Sequence, residues 1–377
     1  MNVAIEAGAP QSAEVVDETP QYTGTAGTVL GIVLLNALIT PFTFGFYRFW
    51  GKTRLRRYLW NAVRFRGDPF EYTGRGGELL IGFLIATAFM LALFVITAAG
   101  MYAAGGPQSP GGQVIQAGIA FVFLFLVNVA LYRVRRYQMS RTLWRGVRFG
   151  QAGSSFKYAV KVFGWYILRA ITLNLIAPWA NTALQRYRIA NTRFGTTAFS
   201  FDAQGRPLFG RWLLTWLLFI PTLGLIYFWY QAAQQRHFYQ HTRVSDVQFE
   251  STIGGGALLG LFMLYLAALA VILLVIAVVL GTALAGEMAN FAALAGDPSM
   301  VMPMLLNALP QIIVAVLIWY FASRAAQALY LIHRPLALVC RTMRLKGRID
   351  FAAIAQSAQA TPRFGEGLAN ALDIGGI

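Results

Sequence analysis

Val63-Arg64-Phe65-Arg66-Gly67-Asp68-Pro69-Phe70-Glu71-Tyr72 consists of two short alternating runs on either side of Gly67-Asp68. A period of two broken by a turn-forming pair is the pattern of a β-hairpin. Thr192 to Phe201 has the same form around Gly195-Thr196. The signature is an arginine followed at once by an apolar residue and, six to eight residues later, by a phenylalanine. It returns as Arg64-Phe65 with Phe70, Arg148-Phe149 with Phe156, Arg193-Phe194 with Phe199, Arg243-Val244 with Phe249 and Arg344-Leu345 with Phe351. Trp50, Trp179 and Trp229 each stand fourteen residues before Arg64, Arg193 and Arg243. Such self-similarity predicts one small unit reused along the chain. A lone hairpin is marginal in water, so the copies are expected to meet as a small sheet. Arg57, Arg141, Arg186 and Arg236 lie seven residues before their motif arginines, which is close to two helical turns.

Apolar sequence fills the intervals between these motifs. The chain is 57% hydrophobic and 12% charged, with a mean hydropathy of +0.55, outside the range of soluble globular domains. Residues 79–101, 112–132, 257–284 and 303–323 carry no Asp, Glu, Lys, Arg or His. At about 1.5 Å of rise per residue, each is long enough to span a hydrocarbon core of about 30 Å. Residues 103–111 are uncharged and 286–302 hold only Glu287 and Asp297, while the flanking segments are rich in arginine. The positive-inside rule therefore turns these two loops away from the cytoplasm. The net charge of +16 then reads as one-sided charge facing anionic headgroups, and no nucleic-acid partner is expected.

Three further apolar segments, 29–50, 158–179 and 213–229, each have a proline near a glycine or at their end: Pro41 with Gly45, Pro178, and Pro221 with Gly224. Lys161 and Arg169 charge the second one. Read as broken helices that re-enter on the cytoplasmic side, they keep Arg186, Arg188, Arg193 and Arg206 inside. Read as tilted crossings, the second and third would put those arginines outside. Both readings return the chain to the cytoplasm. The expected fold is thus an α-helical polytopic membrane protein with internal repeats, four clear transmembrane helices, three Pro/Gly-broken apolar segments and small cytoplasmic β-hairpins. Residues 1–25, polar and acidic, read as a disordered cytoplasmic tail, 26–355 as the membrane domain and 356–377 as a C-terminal cytoplasmic tail. Cys340 is alone, which excludes an internal disulfide.

The run Phe42-Thr43-Phe44-Gly45-Phe46-Tyr47-Arg48-Phe49-Trp50-Gly51-Lys52-Thr53-Arg54 continues through Arg56-Arg57-Tyr58-Leu59-Trp60 to Phe70-Glu71-Tyr72-Thr73-Gly74. It resembles the opening signature of the YjgN-type family of bacterial inner-membrane proteins. Glu78-Leu79-Leu80 and Gly365-Glu366-Gly367-Leu368-Ala369-Asn370-Ala371-Leu372-Asp373 are similar to that family too. The resemblance covers nearly the whole chain and implies a multi-pass protein of the inner membrane. It brings no catalytic residue with it.

The residues themselves give no reason to expect an enzyme. His237 and His241 are four apart and share one helical face, but they stand among basic and aromatic residues and read as facing headgroups, so no metal and no cofactor is expected. Gly254-Gly255-Gly256 lacks the Lys-Ser/Thr of a phosphate loop. The candidates for contact with an anion or lipid are Arg57, Arg64, Arg148, Arg169, Arg193, Arg243 and Arg344, with Trp50, Trp179 and Trp229 as interfacial aromatic anchors. Arg169 is open to two readings, an intramembrane site or an interfacial anchor. Two functions fit. One is a transporter or channel for an anionic solute or amphiphile, with motif arginines at its cytoplasmic mouth. The other is a non-catalytic membrane organiser that binds anionic lipid and a cytoplasmic protein partner or a second copy of the chain.

Overall fold

The computed structural model describes residues 14–294, 301–349, 351, 354–356 and 362. The chain begins with β1 (Glu14–Glu18), β2 (Gln21–Tyr22), α1 (Ala26–Phe42), α2 (Arg48–Ala62), β3 (Val63–Phe65) and β4 (Asp68–Tyr72). It continues through α3 (Gly76–Ala103), α4 (Pro110–Ser140), β5 (Thr142–Trp144), β6 (Val147–Gln151), α5 (Ser155–Ile171), α6 (Ala177–Ala190), β7 (Thr192–Phe194) and β8 (Thr197–Phe201). Then follow α7 (Arg206–Leu218), α8 (Tyr227–Gln240), β9 (Thr242–Val244), β10 (Val247–Ser251), α9 (Gly255–Leu294), α10 (Val301–Gln327), a π-helical turn (Ala328–His333), α11 (Arg334–Thr342) and β11 (Met343–Ile349).

All eleven strands form one sheet, in the order β1-β11-β10-β9-β8-β7-β6-β5-β4-β3-β2. This corrects the expected fold class, because what the sequence suggested as small hairpins meeting in a small sheet on an α-helical protein is one continuous eleven-stranded antiparallel sheet. Within residues 1–25, read as a disordered tail, Glu14–Glu18 and Gln21–Tyr22 are strands of that sheet, and residues 1–13 lie outside the described residues. The C-terminal tail lies largely outside the described residues.

The sheet is rolled. β1 pairs with β11 and β2 pairs with β3, at the two ends of the order, yet only Thr19-Pro20 separates them. Laid flat, eleven strands would be about 48 Å wide, whereas Glu18 and Gln21 can be at most about 11 Å apart. A proline donates no ladder hydrogen bond, so Pro20 suits the point where the strand changes partner. Across the seam Arg66 pairs with Glu18 at 3.4 Å.

Every neighbouring pair is antiparallel. From β2 onward, even strands therefore end, and odd strands begin, at the same rim. Five helical hairpins leave and return there: α1–α2, α3–α4, α5–α6, α7–α8 and α9–α10. The opposite rim carries tight turns. The first of these is Arg66-Gly67, one residue earlier than the Gly67-Asp68 expected, because a two-residue hairpin turn of this hand needs two positive φ angles. Arg66 has 54° and Gly67 82°, and Arg145-Gly146 match them with 49° and 73°. At this rim Thr196 N–H donates to the Ala355 carbonyl at 3.0 Å, and Phe351 and Ile354 join the inner core.

The apolar hairpins are of two lengths. Four helical stretches are long and apolar enough to cross a membrane: 76–103, 110–140, 255–282 and 306–342. α1 and α5 have 17 residues and α7 has 13, so they rise only about 20 to 25 Å before the chain turns back. The turn is a left-handed pair in each: Phe44-Gly45, Leu173-Asn174 and Leu223-Gly224. The second residue's N–H bonds five residues back, Gly45 to Thr40 at 2.9 Å, Asn174 to Arg169 at 2.6 Å and Gly224 to Phe219 at 2.7 Å, in the manner of a Schellman helix end. The prolines do not occupy matching places, for Pro41 ends α1 and Pro178 begins α6. Left-handed backbone, not proline, makes the break. β7 and β8 share the sheet with the other hairpins, so the third motif lies at the same end of the helices as its siblings.

The three tryptophans each stand against the start of a following segment. A Cβ built on Gly76 would lie 3.0 Å from the Trp50 Cα, on Gly205 2.8 Å from the Trp179 Cα, and on Gly255 2.6 Å from the Trp229 Cα. Gly205→Ala and Gly255→Ala should each cost about 1–3 kcal/mol through overpacking and lower the melting temperature of the detergent-solubilised protein. Gly210→Ala, with open space around it, should not.

Candidate functional site: a chamber inside the rolled sheet

Alternation sends one set of side chains from each strand inward. Phe65, Trp144, Phe194 and Val244 are buried on the inner face, and Phe70, Phe149, Phe199 and Phe249 pack against them only in part. They are only part-buried because they border a chamber of about 520 Å³. A ring of this strand number can hold a small ligand where eight strands are just filled, and the volume falls within the usual range of ligand pockets, about 300–1,000 Å³.

The ends of the returning helices contribute the polar part of the lining: Arg135 from α4, Gln185 from α6, and Gln235 and Tyr239 from α8. Arg135, Gln185 and Gln235 each precede their strands by seven residues, at Thr142, Thr192 and Thr242. Arg135 makes no ion pair among the described residues, and its Nε is buried without a hydrogen-bond partner. Trp144 is 3% exposed, and its indole N–H is likewise buried and unpaired. Burial pushes the Tyr239 phenol up, so it stays a neutral hydrogen-bonding group. No Asp, Glu, His or Cys lines the chamber among the described residues.

The arginines singled out in the sequence are elsewhere. Arg64, Arg193 and Arg243 occupy the alternate strand positions and are exposed on the outer face. Arg344 is exposed beside them and donates to both carboxylate oxygens of Asp17 at 2.6 and 2.8 Å. Arg148 sits on β6, the second strand of its hairpin, so Leu143 on β5 takes the place that Arg64 has on β3. None of these lines the chamber, so the motif arginines do not form its mouth.

Arg57 belongs to a different set. Its guanidinium donates to the Gly74 carbonyl at 2.9 Å, Arg186 donates to Ala203 at 2.6 Å, and Arg136 and Arg236 donate to Gly153 and Ile253. In all four the acceptor lies seventeen residues on, which ties the helix end to the strand's exit. Arg136, not Arg141, fills this role in the second case, and Arg141 instead pairs with Glu78 at 2.9 Å. Arg169, near the tip of α5, donates to Asn181 Oδ1 on α6, a cross-link within its own hairpin. Trp50, Trp179 and Trp229 are half-exposed. His237 Nε2 meets the Gln204 carbonyl at 2.8 Å, and His241 Nδ1 the His237 carbonyl at 2.8 Å.

Sequence reasoning missed Arg135, Trp144, Gln185, Gln235 and Tyr239. The seven-residue spacing could have found the first, third and fourth, had it been counted from the first strand residue instead of the motif arginine.

A family model described as "Bacterial protein of unknown function (DUF898)" matches residues 18–371. The chain is 26% identical over 163 residues to "Inner membrane protein YjgN" of Salmonella typhimurium, which is 43% of this chain and 37% of that protein. It is 27% identical over 144 residues to the protein of the same name in Escherichia coli K12, covering 38% of this chain and 32% of that one. The match thus spans about a third of the length of these curated relatives. No solved structure matches. The relatives are inner-membrane proteins, and four helices of this chain are long and apolar enough to cross a membrane.

Arg186→Gln leaves the buried Ala203 carbonyl without its donor and should cost about 1–3 kcal/mol of stability. Arg64→Ala and Arg193→Ala, both on the solvated outer face, should act alike and stay within about 0.5 kcal/mol of the parent protein. Thermal unfolding of the purified variants checks both.

Proposed function

Because the chain belongs to the DUF898 family of bacterial proteins, we propose that it is a multi-pass inner-membrane protein with both termini cytoplasmic, and that it binds an anionic amphiphile for transport. The single observation that carries the reading is the chamber of about 520 Å³, aromatic toward the sheet and polar toward the helix ends. An amphiphile has that same division. Helical hairpins that turn back within the apolar layer favour movement of the solute over mere storage. Their tips support the membrane setting, for Phe44 is 93% and Leu223 90% exposed, which only an apolar surrounding makes tolerable. The sheet rim, where every hairpin begins and ends, fits the cytoplasmic side because the basic residues gather there. Four equivalent arginine-to-carbonyl ties support descent of the hairpin pairs from one reused unit.

We read the protein as non-catalytic and free of metal and cofactor, because neither the His237 and His241 pair nor Gly254-Gly255-Gly256 has the sequence company of a metal site or a phosphate loop. A second reading, an organiser that grips anionic lipid and holds a protein partner or a second copy, draws on the outward arginines Arg64, Arg193 and Arg243, which stand exposed in a row of strands.

Two measurements test this. A cysteine at Gln204 in a Cys340→Ser background should react with an impermeant thiol reagent only after cells are permeabilised, and labelling of intact cells would overturn the topology. Either tritiated tetradecanoate or tritiated dodecyl phosphate should bind the purified protein saturably, with at least about tenfold weaker binding to Phe199→Trp, which narrows the chamber. Flux of the same probe into liposomes favours transport. Co-purified anionic phospholipid with no flux favours the organiser.

A further inference from the structure

The chamber's electrostatics say more than its volume. Arg135 presents a guanidinium to an apolar enclosure that contains no carboxylate among the described residues. Arg188, the cation that bears on it, is engaged with the Tyr158 hydroxyl at 2.8 Å. A half-buried guanidinium held against an apolar lining is costly unless something anionic completes it.

Resting on the binding role given above, we propose that the chamber's ligand is a single-chain amphiphile with a carboxylate or phosphate-monoester head, whose head meets Arg135 at the helix ends and whose tail lies among Phe70, Phe149, Phe199 and Phe249. The volume sets the chain count. At about 30 Å³ per non-hydrogen group, 520 Å³ accommodates about seventeen such groups, the size of a tetradecanoate. A diacyl phospholipid with two such chains is more than about twice too large, and a free inorganic anion would make no contact with the aromatic floor. Phe351 lines the chamber at the end away from Arg135, and Ile354 belongs to the same inner core.

The test compares tetradecanoate, dodecyl phosphate, tetradecan-1-ol and a dimyristoyl phosphatidate by native mass spectrometry and displacement of a tritiated single-chain probe on the intact detergent-solubilised protein. One or both single-chain anions should bind at least about tenfold tighter than the alcohol, and the diacyl lipid should not displace them. Whichever anion binds tighter identifies the head. The preference should vanish in Arg135→Gln and persist in Arg135→Lys, with both variants' melting temperatures measured alongside. Equal binding of acid and alcohol to the unmutated protein, or an unchanged preference in a folded Arg135→Gln, overturns the assignment while leaving the chamber a binding site. If no single-chain compound binds, the chamber reading falls and this one with it.

Discussion

Residues 14–22 pair with β11 through Glu14–Glu18 and with β3 through Gln21–Tyr22 while interrupted only at Thr19-Pro20, and only a rolled sheet brings both partners within reach. Strand pairing is antiparallel throughout, so rolling also sorts the connections: tight turns gather at one rim and helical hairpins at the other. The chamber is a consequence of these two facts. A flat sheet would expose Phe65, Trp144 and Phe194 to solvent, and burial of that surface at about 25 cal/mol per Å² is what favours closure.

The arginines divide according to the same geometry. Those on alternate strand positions face outward, remain solvated and add little to stability. Those on the returning helices bond to carbonyls at strand exits, where a charged donor satisfies a backbone acceptor that the ladder leaves free. Arg135 alone among the described chamber residues brings a full charge inward. Its helix and its register place it there, one residue before the tie that Arg136 makes to Gly153. Fold and binding site therefore use adjacent positions of one helix for different ends.

The apolar layer shows how local backbone can override hydropathy. A helix of 17 residues falls short of the hydrocarbon thickness, and the left-handed pair at its end reverses the chain without needing a proline. Gly45 and Gly224 adopt that conformation at no steric cost. Leu173 and Asn174 adopt it too, Asn being the residue type other than glycine best suited to it, and the tip is held by Trp212 and Trp216, whose indoles donate to the Asn174 and Leu173 carbonyls at 2.9 and 3.0 Å.

Alternation and apolar run length, both local properties, let the sequence determine the hairpins, the four long apolar helices, the family resemblance and the gathering of basic residues beside the strands. The arginine motif was visible for the same reason, though its second copy was misaligned because Leu143 and Trp144 replace the expected Arg-Phe on the first strand. What tertiary structure decided is which side of each strand faces a partner. A two-residue N-terminal link closing eleven strands into one enclosure leaves no local signal, since ring closure depends on contacts across more than three hundred residues, as between Asp17 and Arg344. For that reason the conspicuous arginines proved to face outward, and the inward guanidinium of Arg135, ordinary in its sequence surroundings, became significant only once the sheet had rolled around it.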